Sequence, residues 1–327
     1  MPTSFDRRHF LQMTAALSAA PALSAAQTPN ASTKAWQGIF VIMQTPFLEY
    51  LAIDEECLRK ETDFLCRGRV HGVVWPAGAS ETSSLSFSER MRYSPTVVKE
   101  ANGRATVLIG VHGANKFEAM EYARFAEKIG ADGLHALGPT DGYGDSKYME
   151  DYFTSIASVS KLPMCIQVSN PGMTTDFLLH IAEKIPSVRI LKLEAGNVPH
   201  EVTRVLKERK RTDLFPSTGG GAMNLYDEME RGSGGTMAGA GFADIQAQIW
   251  DWYHQGKKNE SYELFQKFLL SAVLERRTTF VLMKEILRRR GIFKNVVMRR
   301  TSRFTMDAGD LRDLDRIMEM LKPHFRV

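Results

Sequence analysis

The stretch TVLIGVHGANKFEAMEYARFAEKIGADGLHAL, residues 106–137, contains a strand, a helix and a second strand in that order. Residues 106–111 and 133–137 are short apolar runs, whereas residues 116–129 place apolar side chains three and four positions apart. That spacing is typical of an amphipathic helix, and the glycine at position 130 is a residue that commonly follows a helix end. Continuous apolar strands indicate a parallel sheet that is covered on both faces.

The same alternation continues on both sides of this unit. Predicted strands occupy residues 38–43, 71–75, 106–111, 133–137, 163–168, 188–193, 213–216 and 235–238. Predicted helices occupy residues 54–66, 88–101, 116–129, 147–159, 175–185, 199–209, 222–231 and 242–255. Eight strand–helix units predict an α/β fold, a closed (β/α)8 TIM barrel over residues 35–258. A doubly wound open sheet is the alternative topology.

The two ends of the chain have a different character. Residues 259–327 show no further strand and predict a C-terminal helical region, with helices at 261–277, 280–290 and 310–321. Residues 1–26 resemble a twin-arginine (Tat) signal, with Arg7 and Arg8 before an uncharged stretch that ends in Ser24-Ala25-Ala26. We therefore expect export to the periplasm or beyond the membrane. An apolar N-terminal helix that stays attached is the alternative.

Composition limits the kinds of partner. The chain has 42 basic and 38 acidic residues, a net charge of +4, which does not suggest a nucleic-acid surface. Its eight histidines form no His-Glu-x-x-His pattern, so we expect neither a metal nor another cofactor. Three cysteines suggest no disulfide framework. We also expect no membrane span in the mature chain, because no later segment is long and apolar enough.

Lys192 is the first candidate for chemistry, because it interrupts the apolar run Ile190-Leu191-Lys192-Leu193. Side chains alternate along a strand, so Ile190, Lys192 and Glu194 share one face. If that face is the barrel interior, burial disfavours the ammonium form, and a neutral amine can attack a ketone. The alternatives are an outward lysine that lies between helices, or an ion pair with Glu194.

The order of the motifs resembles the dihydrodipicolinate synthase/N-acetylneuraminate lyase family over nearly all of residues 38–300. The motifs that carry the resemblance are residues 38–47, 78–90, 110–114 and 131–133, and Lys192 with Ala195-Gly196-Asn197. The resemblance implies that Lys192 forms a Schiff base with a 2-oxo acid, and that the protein is a homotetramer or dimer. Residues 166–167, 192–194 and 237–239 look closest to the branch of sugar-acid dehydratases.

The resemblance also suggests roles for other residues at the carboxyl ends of the predicted strands. Backbone N–H groups of Gly78, Ala79 and Ser80, with the Ser80 hydroxyl, would hold the substrate carboxylate. Gln167 would bind substrate oxygens, and Met237 would line the substrate site. Glu194 would orient Lys192 or take part in proton transfer.

Two positions depart from the family pattern. The family usually has hydroxyl side chains in the loop after strand two, whereas this chain has Gly78 and Ala79 there, with Ser80 and the pair Ser83-Ser84 nearby. The family usually has a Pro-Tyr-Tyr motif after strand four, whose tyrosine relays protons, whereas this chain has Pro139-Thr140-Asp141-Gly142-Tyr143. Either Asp141 or Tyr143 is therefore the candidate relay. Together with the position of Lys192, the resemblance implies a Schiff-base lyase or hydro-lyase for a small-molecule 2-oxo acid, in particular a 2-keto-3-deoxy sugar acid. The alternative is an altered family member that binds such an acid in the periplasm without turnover.

Overall fold

The computed structural model describes residues 36–139, 145–167, 173–300 and 305–327. Eight parallel strands follow one another in chain order around a closed barrel. The strands are β1 Gly38–Ile42, β2 Gly72–Trp75, β3 Thr106–Gly110, β4 Gly133–Leu137, β5 Met164–Gln167, β6 Val188–Leu193, β7 Phe215–Thr218 and β8 Gly235–Gly239. Because β1 pairs with β8 along its whole length, the predicted TIM barrel is confirmed and the open sheet is excluded.

Within the described ranges a helix follows each strand, and three more helices follow the eighth of these. The helices are α1 Glu55–Arg67, α2 Phe87–Ala101, α3 Lys116–Lys128, α4 Ser146–Ser158, α5 Thr175–Lys184, α6 Val198–Glu208, α7 Leu225–Glu230, α8 Ala243–His254, α9 Lys258–Thr278, α10 Phe280–Arg289 and α11 Ala308–Leu321. Local sequence explains where they begin. The Asn115 side chain, for example, accepts the backbone N–H groups of Phe117 and Glu118 at the start of α3.

Strand alternation divides the apolar side chains between two cores. Inside the barrel, a small cluster includes Phe40, Leu108, Ile190 and Met237. Outward-facing strand residues such as Leu191 join a larger cluster between the barrel and its helices. Burying a side chain of this size stabilises the fold by roughly 1.5–3 kcal/mol. The alternation also fixes which face of each strand can contribute to a site inside the barrel.

Buried ion pairs attach the C-terminal helices to the barrel. Lys284 of α10 donates to Glu81, in the loop after β2, over 2.6 Å, and neither side chain is exposed. Lys284 also donates to the carbonyl of Val297 over 2.8 Å. Arg290 forms two bonds to the Asp244 carboxylate, of 2.6 and 2.7 Å. Through the Lys284–Glu81 pair, α10 is fixed against the loop that follows β2 at the carboxyl end of the barrel.

Across the described ranges, no helix has both the length and the apolar composition needed to cross a membrane. The twin-arginine pattern and its cleavage site lie outside the described residues.

Candidate active site

Lys192 lies on β6, two residues after Ile190 of the interior cluster, so its side chain faces the inside of the barrel. Only 1% of Lys192 is exposed. Its Nζ lies 3.2 Å from Oε1 of Glu194. The outward orientation that we considered from sequence does not occur. The ion pair with Glu194, which we considered as a second alternative, does occur, and it lies inside the site.

Gln167 fixes the second oxygen of the same carboxylate. It ends β5 and pairs in register with Lys192 on β6. Its side-chain amide donates to Oε2 of Glu194 over 2.5 Å. Glu194 is thus held between an amide donor and an amine. A carboxylate in this position can accept a proton from the amine while keeping its orientation.

A layer of uncharged side chains lies inside the barrel below Lys192, two residues closer to the amino ends of the strands. There His135 of β4 is in register with Cys165 of β5, which is in register with Ile190 of β6. Burial, with a smaller effect of the nearby Lys192 charge, moves the pKa of His135 far below its ordinary value. Burial also raises the pKa of the Cys165 thiol to about 12. Both groups are therefore neutral near pH 7, and the floor beneath Lys192 carries no charge.

Above this floor is a cavity of about 800 Å³ at the carboxyl ends of the strands. From the barrel, it is lined by Ile42, Gly78, Ala79, Gln167, Lys192, Glu194, Gly220, Gly221, Met237, Ala238 and Gly239. From the C-terminal region, it is lined by Ala272, Glu275, Arg276, Thr279, Phe280, Met298 and Arg300. The volume suits a small metabolite, and the C-terminal helices supply one wall.

Most of the residues predicted for the site are brought together here. Gly78, Ala79, Gln167 and Met237 line the cavity together with Lys192 and Glu194. The two candidates for the proton relay, Asp141 and Tyr143, lie outside the described residues. The structure therefore leaves the choice between them as it stood from the sequence.

Ser80 has a different position from the predicted one. Its hydroxyl donates to the carbonyl of Met43 over 2.5 Å and accepts the backbone N–H of Ala77 over 3.0 Å. Ser80 is fully buried and does not line the cavity. The expected contact between this hydroxyl and a substrate carboxylate is therefore corrected: the hydroxyl shapes the loop that presents Gly78 and Ala79.

Three charged residues of the cavity were missed from sequence: Glu275 and Arg276 near the end of α9, and Arg300. A search restricted to strand ends and the loops that follow them cannot find side chains that come from helices beyond the barrel. The two arginines add positive charge to a cavity that already holds an amine, which favours an anionic ligand.

Gly219, the first residue after β7, leaves room for the Glu194 carboxylate. A Cβ atom at this position would lie 1.9 Å from Oε1 of Glu194. We expect Gly219→Ala to push the carboxylate away from both Lys192 and Gln167, and to lower kcat by roughly 10²-fold, the typical contribution of a positioned acid–base group. Steady-state kinetics would measure this loss. Circular dichroism and thermal unfolding of Gly219→Ala check that the variant is folded, so that a loss of kcat reports on the site. Unchanged kcat in Gly219→Ala would contradict a role for Glu194 in this position.

The comparison with known proteins agrees with this geometry. The chain matches the sequence profile of the dihydrodipicolinate synthetase family over residues 35–306. It is 23% identical to an L-2-keto-3-deoxyarabonate dehydratase from Azospirillum brasilense, over 80% of this chain and 87% of that protein. It is 26% identical to a probable 2-dehydro-3-deoxy-D-pentonate aldolase from Escherichia coli strain K12, over 76% of this chain and 85% of that protein.

The fold is also that of a solved structure. A dihydrodipicolinate synthase from Rhodopseudomonas palustris superposes with a TM-score of 0.79 at 23% identity, covering 87% of this chain and 97% of that one. At this level of identity, the superposition shows only that the fold is the same. The family is shown by the profile match, which spans most of the chain. The chain therefore belongs to the dihydrodipicolinate synthetase family and is an enzyme of the lyase type.

Proposed function

We propose that this chain is a Schiff-base-forming lyase or hydro-lyase that acts on a 2-keto-3-deoxy sugar acid. The observation that carries the proposal is the position of Lys192 inside the barrel. Its Nζ lies 3.2 Å from Oε1 of Glu194, and the side chain lines a cavity of about 800 Å³. Two relatives support the substrate class, because both are named for 3-deoxy 2-oxo sugar acids.

In this proposal the cavity holds the acid by its carboxylate. Arg276 and Arg300 contribute positive charge, and the backbone at Gly78 and Ala79 lies at the cavity surface. Gln167 uses one N–H of its side-chain amide to hold Glu194. The second N–H of the same amide can donate a hydrogen bond to a substrate oxygen.

The amine of Lys192 then adds to the C2 keto carbon. Glu194 is close enough to accept a proton from Nζ during the addition. Loss of water gives a protonated imine, which draws electrons from C3 and makes a C3 hydrogen acidic. A base removes that hydrogen to form an enamine, and Asp141 and Tyr143 are the two candidates for this relay. In dehydration, this enamine then expels the hydroxyl group from C4. In aldol cleavage, the enamine forms instead when the C3–C4 bond of the imine breaks.

Borohydride trapping tests the proposal. After incubation with pyruvate and sodium borohydride, we expect a stable mass increment on the peptide that contains Lys192, because the reductant converts an imine into a secondary amine. The Lys284 peptide is a matched internal control, since that lysine is equally buried but paired with Glu81 and outside the cavity lining. Peptide mass spectrometry locates the adduct.

The contrary result is equally clear. Suppose that neither pyruvate nor 2-keto-3-deoxyarabonate gives an adduct, while calorimetry detects binding of the sugar acid. That result would contradict the proposed catalysis and indicate a binding protein of the same fold. Export by the twin-arginine pattern and assembly into a homo-oligomer are further parts of the proposal. Fractionation of expressing cells and light scattering of the purified protein test them.

A further inference from the structure

Glu275 is an acidic side chain that reaches the cavity from outside the barrel. It lies near the end of α9 and lines the same cavity as Lys192. Within the described ranges, its carboxyl group has no hydrogen bond and no ion pair. A carboxyl group without a partner at the surface of a ligand cavity is available to a ligand.

Gly221 creates the space that the Glu275 carboxyl group occupies. A Cβ atom at Gly221 would lie 2.6 Å from Oε2 of Glu275, and Gly221 has a φ of +67°, which side-chain-bearing residues rarely adopt. Two residues earlier, Gly219 leaves the corresponding space for Glu194. The glycines after β7 therefore accommodate two carboxyl groups, one next to Lys192 and one on the C-terminal wall.

The ionisation of Glu275 supports an acid–base role. Burial alone raises the pKa of Glu275 to about 7, although the side chain keeps some access to the cavity. The other charged groups that line the cavity are Lys192 and Glu194 from β6, Arg276 from the same helix, and Arg300. None of them contributes appreciably to the shift. Near neutral pH the group exists in both forms, as a proton donor for catalysis at that pH should.

We propose that Glu275 is the general acid that protonates the C4 hydroxyl group of a 2-keto-3-deoxy sugar acid held on Lys192. This inference rests on the proposed function. In the step, the enamine nitrogen returns its electron pair to the bond with C2, and the C2–C3 electrons form a C3–C4 double bond. The C4–O bond breaks, its oxygen takes the proton from Glu275, and water leaves. The products are a conjugated imine, water and the Glu275 carboxylate.

The proposal also selects between the two reactions of the family relatives. Dehydration needs a proton donor at the C4 oxygen, whereas aldol cleavage needs a base that removes the proton from the same oxygen. A protonated Glu275 favours dehydration. The dehydration rate should therefore fall as pH rises through about 7, as the acid form is lost.

Glu275→Gln is the direct test, with 2-keto-3-deoxyarabonate as substrate. We expect kcat for dehydration to fall by roughly 10²- to 10³-fold, the usual contribution of a general acid. The borohydride-trapped adduct with pyruvate should keep its wild-type yield, because imine formation does not use Glu275. Glu275→Asp should recover part of the activity. Glu263→Gln, on the exposed face of the same helix, is the matched control and should keep wild-type kcat.

The outcomes separate this inference from the proposed function. No trapped adduct in the wild-type protein would overturn both. A trapped wild-type adduct with unchanged kcat in Glu275→Gln would overturn only the role of Glu275. The wild-type pH profile is an independent readout that needs no variant: a dehydration rate that stays constant between about pH 6 and 8 also contradicts the proposal.

Discussion

We expect replacement of Lys192 by methionine to abolish turnover, with kcat lower by at least about 10⁴-fold, as removal of a covalent nucleophile commonly does. Methionine keeps the length and most of the volume of the side chain but has no amine. In the proposed mechanism, a substrate without the imine has no electron sink at C2, and its C3 hydrogen stays unreactive. Among the side chains that line the described cavity, Lys192 is the one with a primary amine, so no neighbour can replace it. Steady-state kinetics with 2-keto-3-deoxyarabonate measure the loss.

Lys192→Arg provides the control for charge. It keeps a cation beside Glu194, but a guanidinium group does not form an imine, so this variant should be as inactive as Lys192→Met. Both variants should remain folded by circular dichroism, because the surrounding strand packing does not depend on the amine. Turnover in either variant within about tenfold of wild type would exclude the covalent pathway.

Much of the fold could be predicted from the sequence because strand and helix periods are local properties. The limits of β4 and β6 match the predicted ones, and most other limits differ by one or two residues. The prediction of β7 was less accurate, because both of its limits were shifted: residues 213–216 were predicted, whereas Phe215–Thr218 form the strand. Proline is depleted in strands, so the local pattern ends the predicted strand at Pro216, whereas pairing with β6 continues to Thr218, with Lys192 opposite Ser217.

The central part of the site could also be predicted, because the residues concerned lie at strand ends. Lys192, Glu194 and Gln167 follow from alternation on two neighbouring strands, and the barrel brings strand ends together. Ser80 shows the limit of that reasoning. A hydroxyl group in a strand-end loop is a reasonable substrate contact, but local hydrogen bonds to Met43 and Ala77 occupy it in the fold.

The C-terminal wall of the cavity could not be predicted by any local rule. Glu275 reaches Gly221 across 54 positions of sequence, through packing of α9 against the loop after β7. Lys284 and Glu81 are 203 positions apart. In the sequence, each of these charged residues lies in a helix or loop that would also be compatible with solvent exposure. Only the tertiary arrangement reveals that they are enclosed.

Replacing Lys284 by methionine should lower the free energy of unfolding by about 3–5 kcal/mol, the usual cost of leaving one member of a buried ion pair without its partner. Lys284 and Glu81 are both fully buried, and the Glu81 carboxylate also accepts the backbone N–H of Arg300 over 2.8 Å. Burial lowers the pKa of Lys284, while the attraction of Glu81 opposes that shift. Urea denaturation followed by circular dichroism measures the change.

A second variant shows whether the uncompensated charge is the cause. Lys284→Met combined with Glu81→Gln should recover a large part of the lost stability, because no buried charge then remains at this position. Lys210→Met is the exposed control. Lys210 and its partner Glu183 are both exposed, so the loss of this pair should change stability by less than about 1 kcal/mol. A Lys284→Met variant as stable as Lys210→Met would contradict this account. Because Glu81 follows the loop that presents Gly78 and Ala79 to the cavity, the destabilised variant should also bind the sugar acid more weakly.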